Sequence, residues 1–196
     1  MRAVDTTRAS LLMRIRDRND AAAWREFDAI YRPMLRRFAQ ARGLCDAEVD
    51  DVVQHAMLAI HERIDEFDYD PARGRFKGWL RTLVNNRIRN LVRGRREQQA
   101  GSATFHVEQQ REQTPDALFD RVWLQEHLRH ALQCVKVELR GDDYAAFHAH
   151  VIDGLSVEQT CQRWNTTANQ VYKLKWRITQ RLRDQMRDLA GDDWSA

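Results

Sequence analysis

Trp24, Phe27, Tyr31, Met34 and Phe38 recur at alternating spacings of three and four residues. That rhythm places them on one face of an α-helix. Val49, Val52, Val53, Ala56, Met57, Ile60 and Ile64 repeat it, and so do Phe76, Trp79, Leu80, Leu83, Val84, Ile88 and Leu91. No stretch shows the period of two that a half-buried strand requires. Only 3 prolines and 8 glycines interrupt 196 residues, so long helices can run unbroken. An all-α fold is expected.

The stripes also divide the chain. Leu11, Leu12 and Ile15 suggest a short opening helix. Asp20 precedes Ala21-Ala22-Ala23 as an N-cap, Pro33 should kink the next helix or cost it one backbone bond, and Gly43 should stop it. A second long helix is expected from about Ala47 to Phe67. Asp68 to Gly74 then reads as a loop, and the Phe76 stripe opens a third helix. From Glu97 to Ala117 the chain turns polar and Gln-rich, with Gly101 and Pro115. Such composition buries little apolar surface and reads as a flexible linker. Helical pattern resumes with Trp123, Leu124, Leu128, Ala131, Leu132 and Val135, followed by a short helix near Asp143 to Ile152. Two small helical domains are expected, over 8–96 and 118–190, with 97–117 joining them.

Charge is distributed unevenly. Asp46, Glu48, Asp50, Asp51, Glu62, Asp65, Glu66, Asp68 and Asp70 are opposed in their stretch by Arg63 alone. Arg73, Arg75, Lys77, Arg81, Arg87, Arg89, Arg93, Arg95 and Arg96 follow without a single acid. One compact domain would then have an acidic side and a basic side. Basic runs often only solvate a helix face. This one is interleaved with Phe76, Trp79, Asn85, Asn86 and Asn90. Arginine and lysine neutralise phosphates, exposed aromatics stack on unpaired bases, and amides read base edges. For Phe76 and Trp79 taken singly, packing in a core competes with base stacking.

The strongest local signal lies near the C-terminal end. Gly154 ends one helix, and Ser156 with Gln159 forms a capping box that opens another. Asn165-Thr166 turns the chain, and Thr167 with Gln170 forms a second box. The helix that follows should run to about Leu189, with Val171, Leu174, Ile178 and Leu182 inward. Two helices joined by so brief a turn fit a helix-turn-helix. The residues that would enter a major groove are Gln170, Tyr172, Lys173, Trp176 and Arg177.

Other classes find little support. Cys45, Cys134 and Cys161 stand singly, without metal spacing, and suit small buried positions in a reducing compartment. No run approaches the apolar length of a membrane span or a signal peptide, so a cytoplasmic protein without membrane insertion is expected. Asp51 and His55 lie one turn apart, but a polar helix face explains both. There is no phosphate-binding loop or nucleophile motif. No enzyme, cofactor or metal site is expected.

These residues carry a resemblance. Asp50-Asp51-Val52-Val53-Gln54, then Phe76-Lys77-Gly78-Trp79-Leu80, then Asn86, Asn90 and Arg93 to Arg96 resemble the second domain of bacterial sigma factors. Asp153 through Arg177 resembles their fourth domain. The order, spacing and linker are similar to the extracytoplasmic-function group of the sigma-70 family, which has only these two domains. The resemblance implies a transcription initiation factor whose partners are core RNA polymerase, through its beta-prime clamp and beta flap, and promoter DNA, with room for an anti-sigma factor. It implies polymerase contact through Asp50, Asp51 and Gln54. It implies opening of the minus-ten element by Phe67 to Gly78 with Phe76, Lys77, Trp79, Asn86, Arg89, Asn90 and Arg93. Reading of the minus-thirty-five element falls to Gln170, Tyr172, Lys173, Trp176 and Arg177. His55 stands where an acid is common, and Tyr172 where many members have arginine. The competing reading is a stand-alone helix-turn-helix regulator that binds DNA without polymerase.

Overall fold

A computed structural model of the chain describes residues 8–66, 75–99, 114–139 and 142–190. The expected loop at 68–74 and most of the expected linker lie outside the described residues. Every regular element among the described residues is helical: α1 (Arg8–Arg14), α2 (Ala21–Ala41), α3 (Asp46–Arg63), a 3-10 turn (Ile64–Glu66), α4 (Arg75–Gln99), α5 (Pro115–Glu138), α6 (Asp142–Val151), α7 (Val157–Trp164) and α8 (Ala168–Ala190). The all-α expectation holds. Contacts divide the chain between Glu126 and His127, inside α5. The second domain expected from residue 118 therefore begins, in sequence, on a helix whose first half packs with the first unit.

In the first unit, α3 packs on α2 and α4 on α3. Asp20 caps α2 by accepting from the Ala23 N–H at 2.8 Å. The guanidinium of Arg14 and that N–H together hold the Asp20 carboxyl below its ordinary range. Pro33 sits within α2, which runs on through it. The N–H it lacks would have gone to the carbonyl of Ala29, at an exposed position where water can serve instead.

Aromatic residues fill the centre. Phe27 stacks on Tyr31 with ring centroids 4.2 Å apart. Phe76, from the first turn of α4, meets both edge-on at 6.0 and 5.4 Å. Trp123 of α5 tilts against Tyr31 at 5.7 Å, and Phe119 meets Phe38 at 5.0 Å. Phe76 is thus a core residue, only 2% exposed, and the expectation that it lies on a DNA-facing surface is corrected. Its place in the α4 stripe, in register with Leu80 and Val84, carries it inward.

The second unit is built on the second half of α5 with α6, α7 and α8. Val135, Phe147 and Ile178 form its core, with Leu132, Tyr144, Leu174 and Leu182 around them. The first capping box is complete: the Gln159 N–H donates to Ser156 Oγ at 3.1 Å, and the Ser156 N–H to Gln159 Oε1 at 2.9 Å. Asn165 reverses the chain between α7 and α8 in the left-handed region, with φ at 47°, a conformation Asn tolerates better than most residues.

Phe76→Ala should lower unfolding free energy by about 3–5 kcal/mol, the usual cost of emptying a buried aromatic site. Urea unfolding followed by circular dichroism measures it. A loss under about 1 kcal/mol would mean that Phe76 is not in the core.

Candidate nucleic-acid and partner interfaces

α4 has two unlike faces. Val84 and Ile88 are buried against the bundle. Asn86, Arg89, Asn90 and Arg93 are exposed. Their spacing of three, one and three residues aligns them along one side of the helix. Arg89 donates to Asn86 Oδ1 at 3.3 Å, so the stripe combines amides with guanidiniums in reach of one another. Asn85, next in sequence, is buried and accepts from Arg42 at 2.8 Å. Burial pushes the Arg42 guanidinium down, and the nearby charge of Arg89 adds to this. Lys77 and Trp79 are half-buried at the start of the helix, with Trp79 against Phe76 at 5.8 Å.

The acidic helix does not form a separate side of the domain, as its charge had suggested. Asp51 accepts from Arg87 of α4 in a forked pair, with Nη2 at 2.6 Å and Nε at 3.0 Å from one oxygen. Glu48 pairs with Arg95 of α4, and Asp50 with Arg36 of α2. Burial opposes the charge on Glu48, but the Cys45 N–H and the Arg95 guanidinium outweigh it and hold the carboxyl below its usual value. Acids and bases far apart in sequence mate across the helix seams because α3 and α4 lie side by side. Gln54 is exposed, and one turn on Leu58 is 56% exposed. The sequence alone does not single out Arg87 or Leu58 for these roles. Arg87 had been lost within a basic run, and Leu58 breaks the apolar stripe on the wrong face. Cys45, expected to be buried, is exposed instead, because it precedes the first turn of α3 and its N–H bonds to Glu48.

On α8, Tyr172 is 56% and Trp176 68% exposed, large values for aromatics one turn apart. Lys173 lies exposed between them. Arg177 is exposed too, but donates to Asp143 of α6 at 2.6 Å. Gln170 serves the second capping box: its Oε1 accepts from the Thr167 N–H at 3.0 Å and from Thr166 Oγ1 at 2.8 Å. A groove of about 550 Å³ beside the start of α8 is lined by Trp164, Gln170, Trp176 and Arg177, among others. The five expected α8 residues thus share one exposed region, with Gln170 and Arg177 already engaged inside the protein.

The Asp51–Arg87 pair is partly exposed, so its worth is limited by solvent screening. Its forked geometry favours the upper end of that range. A double-mutant cycle with Asp51→Ala and Arg87→Ala should give a coupling of about 0.5–1 kcal/mol in urea unfolding. A coupling indistinguishable from zero would remove this pair from the forces that hold α3 against α4.

The sigma-70 region 2 family model matches residues 29–98. That segment contains most of α2, all of α3 and nearly all of α4. The RNA polymerase sigma factor CnrH of Cupriavidus metallidurans is 37% identical over 65 residues, which cover 33% of this chain and 32% of that protein. The match thus spans about a third of the relative's length. The exposed amide and guanidinium stripe of α4 and the outward Gln54 of α3 both lie inside the matched segment. Over residues 29–98 the chain is similar to the sigma-70 region 2 domain.

Proposed function

We propose that the chain is a transcription initiation factor of the extracytoplasmic-function type, acting in the cytoplasm. It binds core RNA polymerase, recognises an upstream promoter element with α8 and opens the minus-ten element with α4. The observation that carries this reading is the α4 stripe. Asn86, Arg89, Asn90 and Arg93 line one exposed face inside the sigma-70 region 2 segment. Guanidiniums there can hold a backbone while amides engage an extruded base. Extrusion costs a few kcal/mol of stacking and pairing, and well-formed amide contacts contribute about 1–3 kcal/mol each.

The polymerase contact falls on the outer face of α3. Asp50 and Asp51 are paired with Arg36 and Arg87, while Gln54 and Leu58 lie exposed on the same helix. An amide beside an exposed apolar side chain suits a partner surface that buries Leu58 and satisfies Gln54. Asp51 acts in this reading chiefly by holding α3 on α4. The second unit would meet the beta flap, and an anti-sigma factor would compete for these same surfaces. On α8, Tyr172, Lys173 and Trp176 form the reading face. Arg177 joins it by exchanging Asp143 for DNA, and Gln170 fixes the start of the helix.

Asn86→Ala with Asn90→Ala should reduce opening of a promoter by the holoenzyme more than it reduces binding to core polymerase. Permanganate footprinting on duplex and pre-melted templates checks this. A defect equally deep on the pre-melted template would count against a melting role. On α8, Lys173→Ala should flatten sequence preference in a promoter-library binding assay, whereas Arg183→Ala should weaken all sequences alike or do little. The reverse pattern would contradict this placement of α8 in the groove.

A further inference from the structure

The first half of α5 does more than close the aromatic core. Phe119 and Trp123 are fully buried against α2 and anchor the helix. That anchorage presents Asp116 and Asp120, one turn apart, to Lys77 and Arg81, one turn apart on α4. Lys77 Nζ lies 3.0 Å from Asp120, and Arg81 Nε lies 3.7 Å from Asp116. A second Arg81 nitrogen lies 3.9 Å from Asp120. Lys77 also sits 6.0 Å from the Trp123 ring. The two helices are matched in charge at the same repeat. A carboxylate offers these cations the same chemistry as a phosphate oxygen. The pairs are partly open to water, with the side chains of Asp116 and Asp120 62% and 47% exposed against 33% and 18% for Arg81 and Lys77, and ion pairs that open to water hold weakly.

We infer that residues 116–123 are a displaceable acidic cover over the Lys77–Arg81 face of α4. In the free chain they occupy the place that nucleic-acid phosphates take when the promoter binds. This rests on the proposed DNA-binding role of α4. The cover lowers the affinity of the free chain for nucleic acid and is lifted when α5 leaves the first unit. A factor so built would bind DNA well only after a partner had rearranged it.

The test is the affinity of the full chain for a fluorescent single-stranded oligonucleotide of random sequence, titrated at several salt concentrations. Asp116→Asn with Asp120→Asn should raise affinity about tenfold and steepen the salt dependence by about 1.4, as expected when two more cations meet the phosphates of a single strand. A charge-matched control, Asp28→Asn with Asp65→Asn, also frees two arginines, Arg32 and Arg18, and should give a much smaller gain. Lys77→Ala with Arg81→Ala should cost more affinity in the Asp116→Asn, Asp120→Asn background than in the native one, abolishing the gain there. Equal gains from the two charge-matched pairs would overturn the cover. So would an equal cost of Lys77→Ala with Arg81→Ala in both backgrounds. Arg89→Ala with Arg93→Ala separates the two ideas. If these weaken binding while the cover variants do nothing, only the cover fails. If they too do nothing, the DNA-binding role of α4 fails with it.

Discussion

The forked pair between Asp51 and Arg87 fixes how α3 lies on α4. The apolar faces of the two helices supply the adhesion. Each buried Val, Leu or Ile contributes about 1.5–3 kcal/mol, far more than a partly exposed ion pair. Adhesion of that kind is tolerant of sliding, because moving one helix by a turn still sets apolar against apolar. The charged pairs are not tolerant. Asp51 with Arg87 and Glu48 with Arg95 each allow one register. That register places the outward Gln54 and Leu58 on one helix and the Asn86–Arg93 stripe on the next at a defined spacing.

The charge pattern therefore has two uses. Some bases of α4 are spent inside the unit, on Asp51, Glu48 and the acids of α5. Those on the Asn86–Arg93 side face solvent. The first group holds the unit together, and in the proposed reading the second meets a phosphate backbone. Had all of them been exposed, the domain would have been a strongly cationic surface with poor selectivity for any nucleic acid. In the second unit the same economy recurs, since Arg177 and Arg181 on α8 rest on Asp143 and Glu138.

Much of this was legible in the sequence. The three-four stripes located every long helix, and the Thr167–Gln170 box located the turn between α7 and α8 to within a residue. Periodicity reports which face is apolar, and that is a local property. It does not report which charge on one helix meets which on another, so the pairing of Asp51 with Arg87 is not legible in it. It cannot separate an aromatic that packs from one that stacks on a base when both lie at the edge of a stripe, as Phe76 and Trp79 do. Nor does it show that one continuous helix serves two units. The apolar residues of α5 looked like a single pattern, although Phe119 and Trp123 pack with the first unit and Val135 with the second. Gln170 was given two tasks, and its bonds to Thr166 and Thr167 show that capping holds it in the free protein.

The central claim is that this chain directs core RNA polymerase to chosen start sites. Purified bacterial core enzyme, with and without the protein, can be supplied with fragmented genomic DNA and the RNA 5′ ends sequenced. The account predicts discrete start sites that require the protein and share one motif about ten bases upstream and a second further upstream. A set of 5′ ends unchanged by the protein, while it still binds duplex DNA on its own, would contradict the account and leave a stand-alone DNA-binding regulator in its place.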